Sequence, residues 1–146
     1  MKEIKSIANI SGEPVRMNIY LKSAMKLSSS LLTKVKFGGV FLNGKNVTMR
    51  ATVSDGDEVL VLLPDEKNDT IQPKKLEIEI LYEDDNIVVV NKPKNTPSHP
   101  SRGNHLPTLA EGLVARYGEG FIPRIITRLD RDTSGIVLIA KDQFSA

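Results

Sequence analysis

The apolar positions fall into two patterned regions separated by a polar stretch. In the first, Met17, Leu21, Ala24 and Met25 recur at helical spacing, which predicts a helix. Ser28 stands where it can cap a second helix whose apolar side is Leu31, Leu32 and Val35. Gly38-Gly39 ends that helix, and Val40-Phe41-Leu42 reads as a short strand turned by Asn43-Gly44, a tight-turn pair. Val47 starts the return, Asp55-Gly56-Asp57 makes another turn, and residues 59–63 (VLVLL) form a buried strand. Residues 1–64 thus read as a compact α+β module of two short helices and small strands. The next stretch, PDEKNDTIQPKK, has one large apolar side chain, Ile71, and is expected not to pack. That makes 65–75 a linker.

The second region, 76–146, opens with Ile78, Ile80 and Tyr82 alternating with Glu77 and Glu79, the pattern of a half-buried strand. Asp84-Asp85-Asn86 turns the chain into Ile87-Val88-Val89-Val90, apolar on both faces and so central to a sheet. A polar loop with four prolines spans 91–107. Thr108 and Glu111 have capping-box spacing and open a helix with Leu109, Leu113 and Tyr117 on one side. Residues 136–140 (IVLIA) form a last strand. The fold class expected overall is α+β.

Composition adds exclusions. The chain has 146 residues and no cysteine, which removes disulfides, thiol catalysis and cysteine-based zinc sites. No apolar run approaches the roughly 20 residues that cross a bilayer, and the N-terminus lacks the apolar stretch of a signal peptide. A soluble, cytoplasmic protein is the expectation. Net charge is only +2, yet residues 14–54 hold seven basic side chains and no acidic one. Such a segment is an electrostatic footprint for a polyanion, or else a lysine-rich solvated face.

The most informative stretch is 127–135, TRLDRDTSG, running into the 136–140 strand and Lys141. Asp130 has Arg128 two positions before it and Arg131 beside it. Nearby positive charge favours an ionised carboxylate, which suits a nucleophile or base. The same residue types also make an ordinary turn. Asp132-Thr133-Ser134-Gly135 is a poor fit to an aspartic-protease loop, since its flanks are polar and its glycine falls one place late. His99 and His105 sit in one proline-rich loop without a carboxylate or cysteine to complete a metal set, so no metal is expected.

Thr127 to Lys141 closely resembles the signature R-L-D-x-x-T-S-G-hhhh-A-K, h being apolar, of the RluA-type pseudouridine synthases. The resemblance implies that Asp130 is the catalytic residue and that Arg128 helps displace the target base. Thr127 stands where many members carry His. Residues 91–100, NKPKNTPSHP, resemble the family's N-K-P-x-G-x-x-x-H-P loop, with Asn95 in place of Gly. Asn is the next residue most tolerant of positive φ, so the turn is expected to survive. By this resemblance Lys92 and His99 border the RNA or the active-site cleft, and Arg131 joins them as an RNA contact.

Residues 15–63 resemble the small RNA-binding domain named after the fourth small-subunit ribosomal protein. The resemblance rests on 27–32 (LSSSLL), Lys34, Lys36, Gly39, Val40, Asn43-Gly44-Lys45 and Asp55-Gly56-Asp57. It implies RNA contacts from Arg16, Lys26, Lys34, Lys36, Asn43 and Lys45. Lysines on short helices suit structured RNA, which is recognised largely by shape and backbone. The joint implication is an isomerase converting uridine to pseudouridine in RNA, ribosomal rather than transfer RNA, with no metal or organic cofactor. Members continue well past the A-K segment and there supply a Tyr and a basic partner for the Asp. This chain alone is therefore expected to be inactive, to expose unpaired strand edges, and to be monomeric when complete. A non-catalytic RNA-binding protein is the alternative.

Overall fold

A computed structural model describes residues 1–146, which divide into two compact units, Met1–Asp65 and Glu66–Ala146. Each is α+β with antiparallel sheets.

In the first unit, β1 (Lys2–Ile7), β6 (Glu58–Leu63), β3 (Val40–Leu42) and β4 (Lys45–Asn46) form one sheet in that order. The pair β2 (Val15–Arg16) and β5 (Thr52–Val53) stands apart from it. Helices α1 (Met17–Ser23) and α2 (Ser29–Val35) fall where the spacing predicts them. The Ser28 hydroxyl accepts from the Leu31 N–H at 3.3 Å, the expected cap. Met17, Leu21, Leu31 and Val35 are buried with Val40, Val59, Val61 and Leu63 of the sheet. Each large apolar side chain so buried contributes about 1.5–3 kcal/mol relative to exposure. Asn43 and Gly44 take φ of 49° and 78°, as a tight hairpin turn needs. The strand β1 was not anticipated. It alternates half-buried and exposed positions but presents Lys2, Ile4 and Ser6 inward, a weak apolar signal.

In the second unit the sheet order is β7-β8-β10-β9, for Glu79–Glu83, Ile87–Lys92, Gly135–Ala140 and Arg124–Ile125. The central strands are β8 and β10, as expected for β8 from its two apolar faces. Helix α3 (Leu109–Tyr117) lays Leu109 and Leu113 on Val88, Val90, Val137 and Ile139, all fully buried. Gly112 lets the chain before β7 approach closely, since a Cβ there would lie 2.8 Å from Leu76 Cβ. The simple alternation read for 76–82 fails at Tyr82. A register shift between Ile80 and Tyr82 turns that ring outward, 53% exposed, where its hydroxyl donates to Asp84. The stretch read as unable to pack also differs. Lys74 reaches α3 through its N–H to the Glu111 carbonyl at 3.2 Å and its ammonium to the Glu111 carboxylate at 2.9 Å.

The capping box is complete. The Thr108 hydroxyl accepts from the Glu111 N–H at 3.2 Å, and Glu111 Oε2 accepts from the Thr108 N–H at 2.9 Å. Burial pushes the Glu111 carboxyl up, but Lys74 and the Thr108 donors outweigh it and hold its pKa below the usual glutamate range. A depressed carboxylate pKa stabilises the fold above the unfolded value and loses that contribution as pH falls through the folded one. Acid titration of the wild type is therefore expected to lose stability below about pH 4.3, and Glu111→Gln to flatten that part of the curve. Denaturation midpoints measured at a series of pH values check this; equal slopes for both proteins would contradict it.

Candidate active site

Two loops meet at one end of the second sheet. The first follows β8, running from Pro93 into the start of α3. The second is 126–134, between β9 and β10. The second is tied to β10 by the Ile126 N–H to the Leu138 carbonyl at 2.8 Å. The Leu138 N–H in turn donates to the Thr127 hydroxyl at 2.9 Å, so Thr127 extends the ladder with its side chain.

The backbone around Asp130 is pinned on both sides by the first loop. The Leu129 carbonyl accepts from the Ser98 hydroxyl at 3.1 Å. The Arg131 carbonyl accepts from the Thr96 N–H at 3.1 Å and from the Lys92 ammonium at 3.2 Å. Asp130's own carbonyl closes a turn with the Thr133 N–H at 3.1 Å. Asn95 takes φ of 58°, so the turn expected to survive the glycine replacement does survive.

Lys92 is fully buried. Its three N–H groups are all accounted for, by the carbonyls of Pro93 at 3.1 Å, Thr96 at 2.8 Å and Arg131 at 3.2 Å. Burial pulls its pKa below the usual lysine range, opposed by the carboxylates of Asp132 and Asp130. An ammonium so enclosed cannot reach a phosphate. The expected RNA contact is corrected to a positioning role under the Asp130 loop.

Above this floor lies a cavity of about 360 Å³ lined by residues 97–101 and 128–131. It brings together His99, Arg128, Asp130 and Arg131, which the sequence placed in two separate motifs. The Asp130 side chain is exposed there and makes no hydrogen bond or ion pair within the fold. Partial desolvation and the Arg128 charge hold the His99 imidazole below its usual range. It is accordingly mostly neutral at pH 7. Arg131 does not serve Asp130 as expected. Its guanidinium donates to both oxygens of Asp132, at 3.1 and 3.2 Å, leaving Arg128 as the arginine of the cavity without a partner carboxylate.

Lys141, quoted only as the end of the signature, proves to be a structural tie. Its ammonium donates to the Glu83 carboxylate at 2.9 Å and the Asp84 carbonyl at 2.7 Å, clasping the β7–β8 turn. In the first unit Arg16, Lys26, Lys34, Lys36 and Lys45 are all exposed. Asn43 is engaged in the fold. Its amide donates to Asp57 at 2.8 Å and its carbonyl oxygen accepts from the Glu58 N–H at 2.9 Å, so its side chain also keeps the turn.

A loop carboxylate without a partner in the fold shares this cavity with Arg128 and His99, on a backbone pinned from the other loop. Residues 86–146 match the model of the family described as RNA pseudouridylate synthase, so this part of the chain carries that family's sequence pattern. The chain is 38% identical over 125 residues to an uncharacterized RNA pseudouridine synthase of Bacillus subtilis, covering 82% of this chain and 44% of that protein. It is 37% identical over 132 residues to ribosomal large subunit pseudouridine synthase D of Buchnera aphidicola, covering 87% of this chain and 42% of that one. An uncharacterized RNA pseudouridine synthase of Aquifex aeolicus is 33% identical over 142 residues, or 91% and 45%. The chain thus spans less than half the length of these relatives.

Proposed function

We propose that these residues form an RNA-binding unit and the Asp130-bearing part of the catalytic domain of an enzyme that isomerises uridine to pseudouridine. The observation that carries this reading is the placement of Asp130. Its carboxylate stands free at a cavity while the carbonyls on both sides of it are anchored.

Isomerisation breaks the C1′–N1 glycosidic bond, turns the base, and forms a C1′–C5 bond. C5 loses a proton and N1 gains one, so atoms balance without an oxidant or a second substrate. A uridine in a helix must first leave its stack. Arg128 supports that step, because a guanidinium can take the place of the extruded base by stacking and hydrogen bonding. Asp130 acts on the extruded nucleotide as an ionised carboxylate, whether at the sugar carbon, the ring or a sugar proton. No residue of the cavity requires a metal or cofactor for these steps.

The basic segment 14–54 supports a polyanionic partner, and the exposed Arg16, Lys26, Lys34, Lys36 and Lys45 are its proposed phosphate contacts. Arg131 and His99 border the same RNA at the catalytic end. Among RNAs, ribosomal RNA is favoured over transfer RNA, since a relative is named for the large ribosomal subunit. Such a substrate goes with a cytoplasmic enzyme; no helix is long and apolar enough to cross a membrane.

The test is pseudouridine mapping in ribosomal and transfer RNA treated with the complete gene product. Conversion of specific ribosomal uridines is expected. RNA binding without conversion by that product would instead favour the non-catalytic reading.

A further inference from the structure

Phe37 is the most exposed large apolar side chain of the protein, at 84%. It is held in that position by the fold. Gly38 takes φ of 89°, which lets the chain reverse immediately after the ring. Gly39 is packed so closely that a Cβ there would lie 3.0 Å from both Val35 Cβ and the Leu62 carbonyl oxygen. The Asn46 amide clamps the same turn, donating to the carbonyls of Gly38 at 2.9 Å and Val40 at 3.1 Å. An aromatic ring on a fixed turn binds with little further loss of freedom.

The ring's surroundings select its occupant. The Lys36 ammonium lies 4.7 Å from the ring centroid, a cation–π contact. Lys34 and Phe37 line a cleft of about 190 Å³ that runs along Gly38, Gly39 and Leu62. Both lysines belong to the segment of seven basic and no acidic residues. With the Lys36 ammonium over one face, the exposed ring has its opposite face for a nucleobase and lysines nearby for the flanking phosphates. A neutral lipid or an uncharged protein surface would match the ring but not the lysines beside it.

We propose that Phe37 is a stacking platform for one unpaired base of the bound RNA, with Lys34 and Lys36 on the flanking phosphates. This rests on the RNA reading above and adds to it a preference for single-stranded or looped over fully paired RNA. Base–aromatic stacking tolerates any base and is available only where the base is unstacked.

The 146-residue chain is titrated with an RNA hairpin carrying an unpaired loop and with a blunt RNA duplex of equal phosphate number. Phe37→Ala is expected to weaken hairpin binding about five- to a hundredfold and to leave duplex binding nearly unchanged. Lys36→Ala is expected to weaken both and to reduce the salt slope of each by about one. The chain has no tryptophan, so Phe37→Trp supplies a lone indole that should keep hairpin affinity and be quenched by the hairpin but not the duplex. Wild-type affinity of Phe37→Ala for the hairpin, or an unquenched indole in the bound complex, would overturn the stacking claim while leaving the RNA reading intact. Failure of the unmodified chain to bind either RNA at low salt would overturn both.

Discussion

Replacing Asp130 with Ala or Asn in the complete gene product is expected to lower pseudouridine formation by at least about 10³-fold, the scale on which removing a chemically essential side chain acts. RNA affinity and thermal stability should stay close to wild type. The reason for the separation is structural. The Asp130 carboxylate is exposed and bonds to nothing in the fold, while its backbone carbonyl holds the turn through Thr133. Either substitution keeps that carbonyl and removes only the reactive group. Surface charges contribute little to stability, and losing one negative charge beside Arg128 cannot weaken attraction for a polyanion. Single-turnover assays on a defined uridine measure the chemical step directly. Activity within tenfold of wild type would assign the chemistry to another group.

Lys92→Met is expected to cost both stability and rate. The substitution nearly preserves volume, so it opens no large cavity. It does strip the carbonyls of Pro93, Thr96 and Arg131 of a buried charged donor. An unsatisfied buried polar group costs about 1–3 kcal/mol; with three affected and Arg131 still bonded to the Thr96 N–H, a loss of about 3 kcal/mol is expected. Amide hydrogen exchange in β8 and β10 would report it, because those strands end at the affected loops. The rate should fall even under conditions where the variant is fully folded, since the Arg131 carbonyl then has one anchor rather than two. A variant with normal exchange protection and normal turnover would show that the ammonium is dispensable.

Local rules made much of this legible. The Ser28 cap, the Asn43-Gly44 turn, the Thr108–Glu111 box and the positive φ at Asn95 each depend on residues within a few positions of one another, and each formed as read. What stayed hidden depends on distant partners. Lys92 looks like a loop lysine until Arg131, 39 residues later, brings its carbonyl to it. Strand β1 has little apolar pattern of its own and is defined by pairing with β6. The two-residue β9 exists only because β10 lies beside it. Arg131 was equally close in sequence to Asp130 and Asp132, and only the turn geometry shows that it pairs with the second. The signature singled out Asp130; it could not show that the supports of its loop come from the other loop.

The start of α3 gives that loop a second attachment. The Leu109 and Ala110 N–H groups donate to the carbonyls of Pro97 and Ser98, at 2.8 and 3.0 Å. Ser98 is the same residue whose hydroxyl holds the Leu129 carbonyl. The helix's first turn, kept by the ionised Glu111, is therefore the outer link of a chain of contacts that ends at Asp130. Protonating one buried carboxylate some twenty residues away in sequence would slacken the reactive loop before the sheet itself gives way. The acid limit of that loop's order would then be set by a helix cap.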